Sequence, residues 1–323
     1  MEVPDLVQAV LEGVAFAIKE NLEIKLSRFF GCTAAEASKD QMYKATAMTV
    51  RDILTEKRGS FKKKVNQAGG IDPRVLISKR VLVGDDNIPG VIGAVAIHLQ
   101  SAADRARVMG YREINVDIGA RSKGEAEGKA PKGTYISFDT PYVEYGEGYA
   151  CGKAFDDRAC LVCLLHAMDL LQGKPLAVNV VVSASTKEET GFQGGISAGF
   201  KVQPEYAIAV DVTHARTGDA PQVICKLGDG PDITLGSNSN PKFARKMIEV
   251  ARAKQIPHIV TACPSASGTN AWPIQMQGRG VTTLVVSLPL KYMHSPVEML
   301  RMSDVKNVGK LIAAFIETFD GRL

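Results

Sequence analysis

From about residue 150 to the C-terminus, short β-branched runs alternate with longer apolar runs of helical character, and this alternation limits the fold most. Residues 158–172 are apolar on most faces and stop at Gly173, as a buried helix does. Leu176–Ala184 is short and rich in valine, which reads as a buried strand. Tyr206–Val210 and Thr282–Leu288 read as further strands, while Pro241–Lys254 and Ser303–Phe319 carry helical periodicity. The order predicts an α/β fold with a mostly parallel sheet flanked by helices. Such sheets place their chemistry in loops just beyond the carboxyl ends of the strands.

Residues 50–148 have a different grammar. Turn signals at Gly69-Gly70, Gly84 to Asn87, Pro89-Gly90 and Gly146 to Gly148 separate short runs such as Val75–Ile77, Arg80–Val83 and Val91–Val95. That pattern predicts a small β-rich domain. With 323 residues the chain has room for two lobes, since single cores stop growing at about 250 to 300 residues.

The net charge of +4 is spread along the chain, and its one dense basic patch, Lys57, Arg58, Lys62, Lys63 and Lys64, reads as a solvated hairpin tip. No larger basic stripe or recognition module is present, so nucleic acid is not an expected partner. No run of 18 apolar residues suits a membrane span. The N-terminal stretch opens with acids and lacks a signal-peptide pattern. Cys32, Cys151, Cys160, Cys163, Cys225 and Cys263 lack paired spacing. Cys160 and Cys163 sit in an apolar helical run, where cysteine serves as a small core residue. Reduced thiols and a cytoplasmic location are expected.

Four clusters fall where this reading puts loop tips. Asp156 and Asp157 precede the helix near Ala159, where acids also serve as caps. Glu188 and Glu189 follow the predicted strand ending near Ser185. Asp211 ends the strand Tyr206–Val210, and His294 follows the strand near residue 285. Each has an ordinary structural explanation. Together they offer oxygen and imidazole ligands to one rim, the donor set that borderline divalent metals prefer. Of the other histidines, His166 reads as a core residue, and His214 as a residue beside the ligands rather than among them.

Eight stretches carry a resemblance. They begin at Gly69 (GGIDPRVL), Ile88 (IPGVIG), Val116 (VDIGA), Gly152 (GKAFDDRA), Lys187 (KEETG), Ala209 (AVDVTHA), Gly268 (GTNAW) and Tyr292 (YMHSPVE). In this order they resemble the glutamyl and deblocking aminopeptidase family of co-catalytic metallopeptidases, the tetrahedral aminopeptidase type sometimes labelled endoglucanase. The resemblance implies a zinc-peptidase-like catalytic domain, residues 1–48 and 149–323. It also implies an inserted small β-barrel-like assembly domain, residues 49–148. By it, Asp156 bridges two metal ions, Glu189 and His294 complete one site, Asp211 belongs to the other, and Glu188 is the general base. Zinc or cobalt, one or two ions per chain, would activate water against the N-terminal residues of short peptides. Asn270 and Trp272 would line the substrate pocket. A homo-oligomer, up to a dodecamer, is implied as well.

The chain departs from the family before the inserted domain. A His-x-Asp-Glu-x-Gly motif is expected there, and alignment places it at Gln41–Ala47, with Met42 for the histidine and Lys44 for the aspartate. A thioether is a poor zinc ligand beside carboxylates, and an ammonium repels a cation. Three readings follow: a single-metal enzyme at Asp156, Glu189 and His294, a catalytically silent subunit, or an altered N-terminal segment. In a further reading the Lys44 ammonium occupies the second cation's place, paired with Asp156 or Asp211.

Overall fold

The computed structural model describes residues 48–50, 63–66 and 68–323. Lys57, Arg58 and Lys62 of the basic patch lie outside these, as does the segment carrying Met42, Tyr43 and Lys44. The described residues fall into two compact units: those up to Pro141 together with His294–Pro296, and Tyr142–Met293 together with Val297–Leu323.

The first unit holds six strands: β1 (Met48–Val50), β2 (Lys63–Asn66), β3 (Arg80–Val83), β4 (Ile88–Ile92), β5 (Asn115–Asp117) and β6 (Tyr135–Phe138). Every pairing is antiparallel. β2 joins β1 and β5, β4 joins β5 and β3, and β6 joins β3 and β1. The strands bury one face, with Val81, Val83, Ile92, Val116, Ile136 and Phe138 packing around Leu76 and Ile114. Gly90 lets β4 cross this core, since a Cβ there would stand 2.9 Å from Val116 Cγ1. Two short helices, α1 (Ala102–Arg105) and α2 (Lys123–Lys129), are capped by Ser101 and Ser122. Val75–Ile77 is no strand, because Asp72 accepts the Arg74 N–H and starts a 3-10 turn over Pro73–Val75.

The second unit opens with β7 (Val143–Tyr145), β8 (Tyr149–Gly152), α3 (Phe155–Leu171) and α4 (Gln193–Val202). β9 (Tyr206–His214), β10 (Asp232–Gly236), α5 (Pro241–Ala253) and β11 (Ile259–Cys263) follow. It closes with α6 (Ala271–Ile274), β12 (Thr282–Leu290), β13 (Glu298–Arg301) and α7 (Met302–Thr318). The four-stranded sheet has the order β11-β10-β12-β9. Its outer pairs are parallel and its central pair, β10 with β12, is antiparallel, so the sheet is mixed. β12 is buried along almost its whole length, as a central strand flanked by helices must be.

Leu176–Ala184 is the clearest departure from the sequence reading. No strand forms there, although its residues alternate between half-buried and exposed. Leu176 and Val178 lean on the core, but strand propensity alone does not supply a hydrogen-bonding neighbour. α3 and α7 bring Gly309 against Cys163 and His166, where a Cβ would stand 2.8 Å from the Cys163 carbonyl oxygen. His166 is half-buried at this crossing, and burial lowers its pKa. Phe243, Phe315, Phe319 and Tyr206 form an aromatic cluster beneath α5 and α7. The five cysteines among the described residues are free thiols. No helix among them is long and apolar enough to cross a membrane.

Candidate metal centre

Asp156 sits where β8 gives way to α3, on backbone that is not yet helical. Ala154 is left-handed at φ 57° and caps nothing with its side chain. Asp156 itself is extended at φ −78°, ψ 106°. The Asp156–Asp157 peptide is cis. Asp156 is buried, and its backbone N–H donates to Glu298 Oε2 at 3.2 Å. β13 pairs Glu298 with Gly152, which sets that carboxylate beside the loop.

Glu188 and Glu189 begin a tight turn in which the Gly191 and Phe192 N–H groups both donate to the Glu188 carbonyl at 3.1 Å. Lys187 just before it is left-handed at φ 56°. The glycine pair Gly194-Gly195 lets α4 start against this segment: the Gly194 N–H donates to the Thr186 carbonyl at 2.9 Å. A side chain on Gly195 would collide with Asn270, whose Nδ2 donates to Ser185 Oγ at 2.9 Å.

His294, exposed and left-handed at φ 59°, has Nδ1 2.9 Å from the Gly70 carbonyl oxygen. When Nδ1 carries the proton and donates it there, Nε2 holds the lone pair. Gly70 is required for that approach, because a Cβ would stand 2.7 Å from Nδ1.

One ligand atom from each of Asp156, Glu189 and His294 lies within 4.8 Å of the other two. That spacing suits three donors around one small cation. Asp211 lies outside this trio. It sits inside β9 rather than at a strand end, because the strand continues to His214, and its Oδ1 accepts the Val212 N–H at 2.8 Å. Burial first, then the charges of Asp157, Glu188 and Asp156, raise its pKa well above the carboxylate range. Burial and the neighbouring Asp156 likewise push Asp157 up to about 6. Carboxylates crowded out of water in this way make an environment that a divalent cation relieves.

Of the remaining residues singled out in the sequence, His214 is exposed at the end of β9, and Trp272 is exposed beside α4 on α6. Met42 and Lys44 lie outside the described residues. Glu298 is the participant that the sequence reading left without a role. Its only sequence signal is its place at the end of the stretch that carries His294.

The sequence pattern of the M42 glutamyl aminopeptidase family matches residues 48–311. This chain belongs to that family. It is 34% identical over 319 residues to the lysyl aminopeptidase of Pyrococcus furiosus, covering 97% of this chain and 90% of that one. Among solved structures, an aminopeptidase from the archaeon Desulfurococcus kamchatkensis superposes with a TM-score of 0.75 at 30% identity, covering 84% of this chain and 76% of the other. The TET1 peptidase of Pyrococcus horikoshii, which assembles into a tetrahedron or a large octahedral shell, gives a TM-score of 0.69 at 27% identity. That superposition covers 84% of this chain and 81% of the TET1 chain. M42 membership makes the chain a peptidase by descent with a mixed α/β fold.

Proposed function

We propose that the chain is a metal-dependent aminopeptidase that removes N-terminal residues from short peptides. The approach of Asp156, Glu189 and His294 to within 4.8 Å carries this reading. These residues would hold zinc or cobalt, and Asp211 would face a second ion. The chemistry that such an ion would supply there is polarisation of a peptide carbonyl and a more acidic water. Glu188, beside Glu189 in the same turn, takes the proton from the attacking water and returns it to the leaving amine. The fixed turn keeps the base and its neighbouring ligand in constant relation, so the geometry needs little rearrangement as charge develops. Asn270 and Trp272 line the approach for the substrate's N-terminal residue. The β1–β6 unit would be a barrel-like assembly module, in keeping with the shells named for the TET1 relative.

A second reading, a single-metal or non-catalytic assembly subunit, rests on Met42 and Lys44 standing where the resembled motif has a histidine and an aspartate. Metal analysis of purified protein with an aminoacyl-anilide assay separates the two. Two ions per chain with turnover support the two-metal enzyme, and one ion with turnover a single-metal enzyme. Metal-free protein without turnover supports the silent subunit. Glu188→Gln should retain metal and lose about 100-fold or more in kcat, and unchanged turnover would remove Glu188 from its role.

A further inference from the structure

We infer that Glu298 is the positioning residue for Asp156, acting through the backbone and not as a ligand. The inference rests on the metal reading of the preceding section and adds to it the group that holds the loop still. Between β8 and the regular part of α3 the chain runs left-handed at Ala154 and extended at Asp156. Such backbone cannot close its own helical hydrogen bonds, and a buried N–H left unpaired is costly. Ala154, at the cap position, contributes no side-chain bond. The Asp156 N–H instead meets Glu298 Oε2, from a residue 142 positions away in the chain.

The placement of Glu298 is over-determined. It opens β13, is 2% exposed, and faces Gly152 across the strand pair. Gly152 in turn packs under the Phe155 ring, where a Cβ would stand 3.1 Å from Cζ. Strand register thus fixes the carboxylate, and the carboxylate fixes the peptide nitrogen that precedes the Asp156 side chain. A carboxylate is a strong acceptor for a buried N–H, and its length sets where that N–H can sit. Partners that orient a metal ligand in this way are worth about 10- to 100-fold in metal affinity.

The test is zinc titration of the full-length protein by calorimetry, at a temperature where circular dichroism shows each variant folded. Glu298→Ala should weaken zinc binding by about 10-fold or more. Glu298→Gln, which keeps the reach and an accepting oxygen, should stay within about 3-fold of the parent. Glu298→Asp, which keeps the charge but is shorter by one methylene, should weaken like Ala. Should the Ala variant fail to fold, the order of Gln and Asp still decides. Affinities unchanged in Asp, or lost in Gln and kept in Asp, overturn the inference and leave the metal reading standing. A parent protein that binds no zinc overturns the metal reading itself, and Glu298 is then only a structural cap.

Discussion

Gly194 and Thr186 meet backbone to backbone. The Gly194 N–H donates to the Thr186 carbonyl at 2.9 Å, and a Cβ on Gly194 would collide with both the nitrogen and the oxygen of Thr186. The contact joins the start of α4 to the strip that leads into Glu188 and Glu189. Gly194→Ala must therefore push the helix away from the turn or distort the turn itself. The expected loss is about 1–3 kcal/mol of stability, with kcat/KM falling while KM moves little. Urea unfolding and steady-state kinetics measure both, and a variant equal to the parent in each would show that the turn does not depend on this contact.

Asp304 is fully buried, and its two oxygens accept the N–H groups of Gly228 at 2.7 Å and Gly230 at 3.0 Å. Burial pushes its pKa up to about 6, against the pull of these two bonds and of Arg301, while nearby Asp229 pushes the same way as burial. Because the folded value lies above the unfolded one, the fold favours the protonated acid. This contribution is fully present below about pH 4 and is lost as pH rises through about 6, an effect of order 3 kcal/mol. Asp304→Asn should remove it. Denaturation at pH 4 and pH 7 should then show the parent losing its advantage over the variant as pH rises, and a constant difference would count against the shifted pKa.

The elements whose ends are written locally were legible from sequence. The helix Pro241–Ala253 starts at its Asn240 cap, which accepts the Lys242 and Phe243 N–H groups, a signal contained within four residues. Arg80–Val83 is rich in valine and stops at the Gly84 turn. Leu176–Ala184 was not legible, since valine content says nothing about whether a neighbouring strand is available. The antiparallel β10–β12 pair was hidden for the same reason, because direction is set by the path between strands. At the site, the residues with ligand chemistry stood out by type. Glu298 did not, because its partner is a backbone nitrogen that no side-chain pattern announces.

Phe243 is buried at 1% exposure, lying 5.2 Å from the Phe315 ring and edge-on to Tyr206 at 5.9 Å. It ties α5 to α7 and to the first residue of β9. Phe243→Ala leaves a cavity that rigid helices cannot close, at an expected loss of about 3–5 kcal/mol. None of Asp156, Glu188, Glu189, Asp211 and His294 belongs to this aromatic cluster, so activity per folded molecule at low temperature should be kept. A chemical denaturation midpoint close to that of the parent would mean that the cluster relaxes around the gap.

Cation removal tests the acidic crowd directly. Asp211 is held between burial and the charges of Asp157, Glu188 and Asp156, so the folded chain without a cation carries repulsion that the unfolded chain does not. A cation that binds only the folded state adds about 2.7 kcal/mol when its concentration is 100 times its Kd. Protein stripped with a chelator should therefore melt several degrees lower than protein with excess zinc, with the gap growing as zinc is raised. His294→Ala removes one of the three donors within 4.8 Å, and the zinc response should shrink sharply in that variant while the stripped melting temperature stays near the parent's. An equal zinc response in both proteins would mean that the stabilising ion binds somewhere other than this trio.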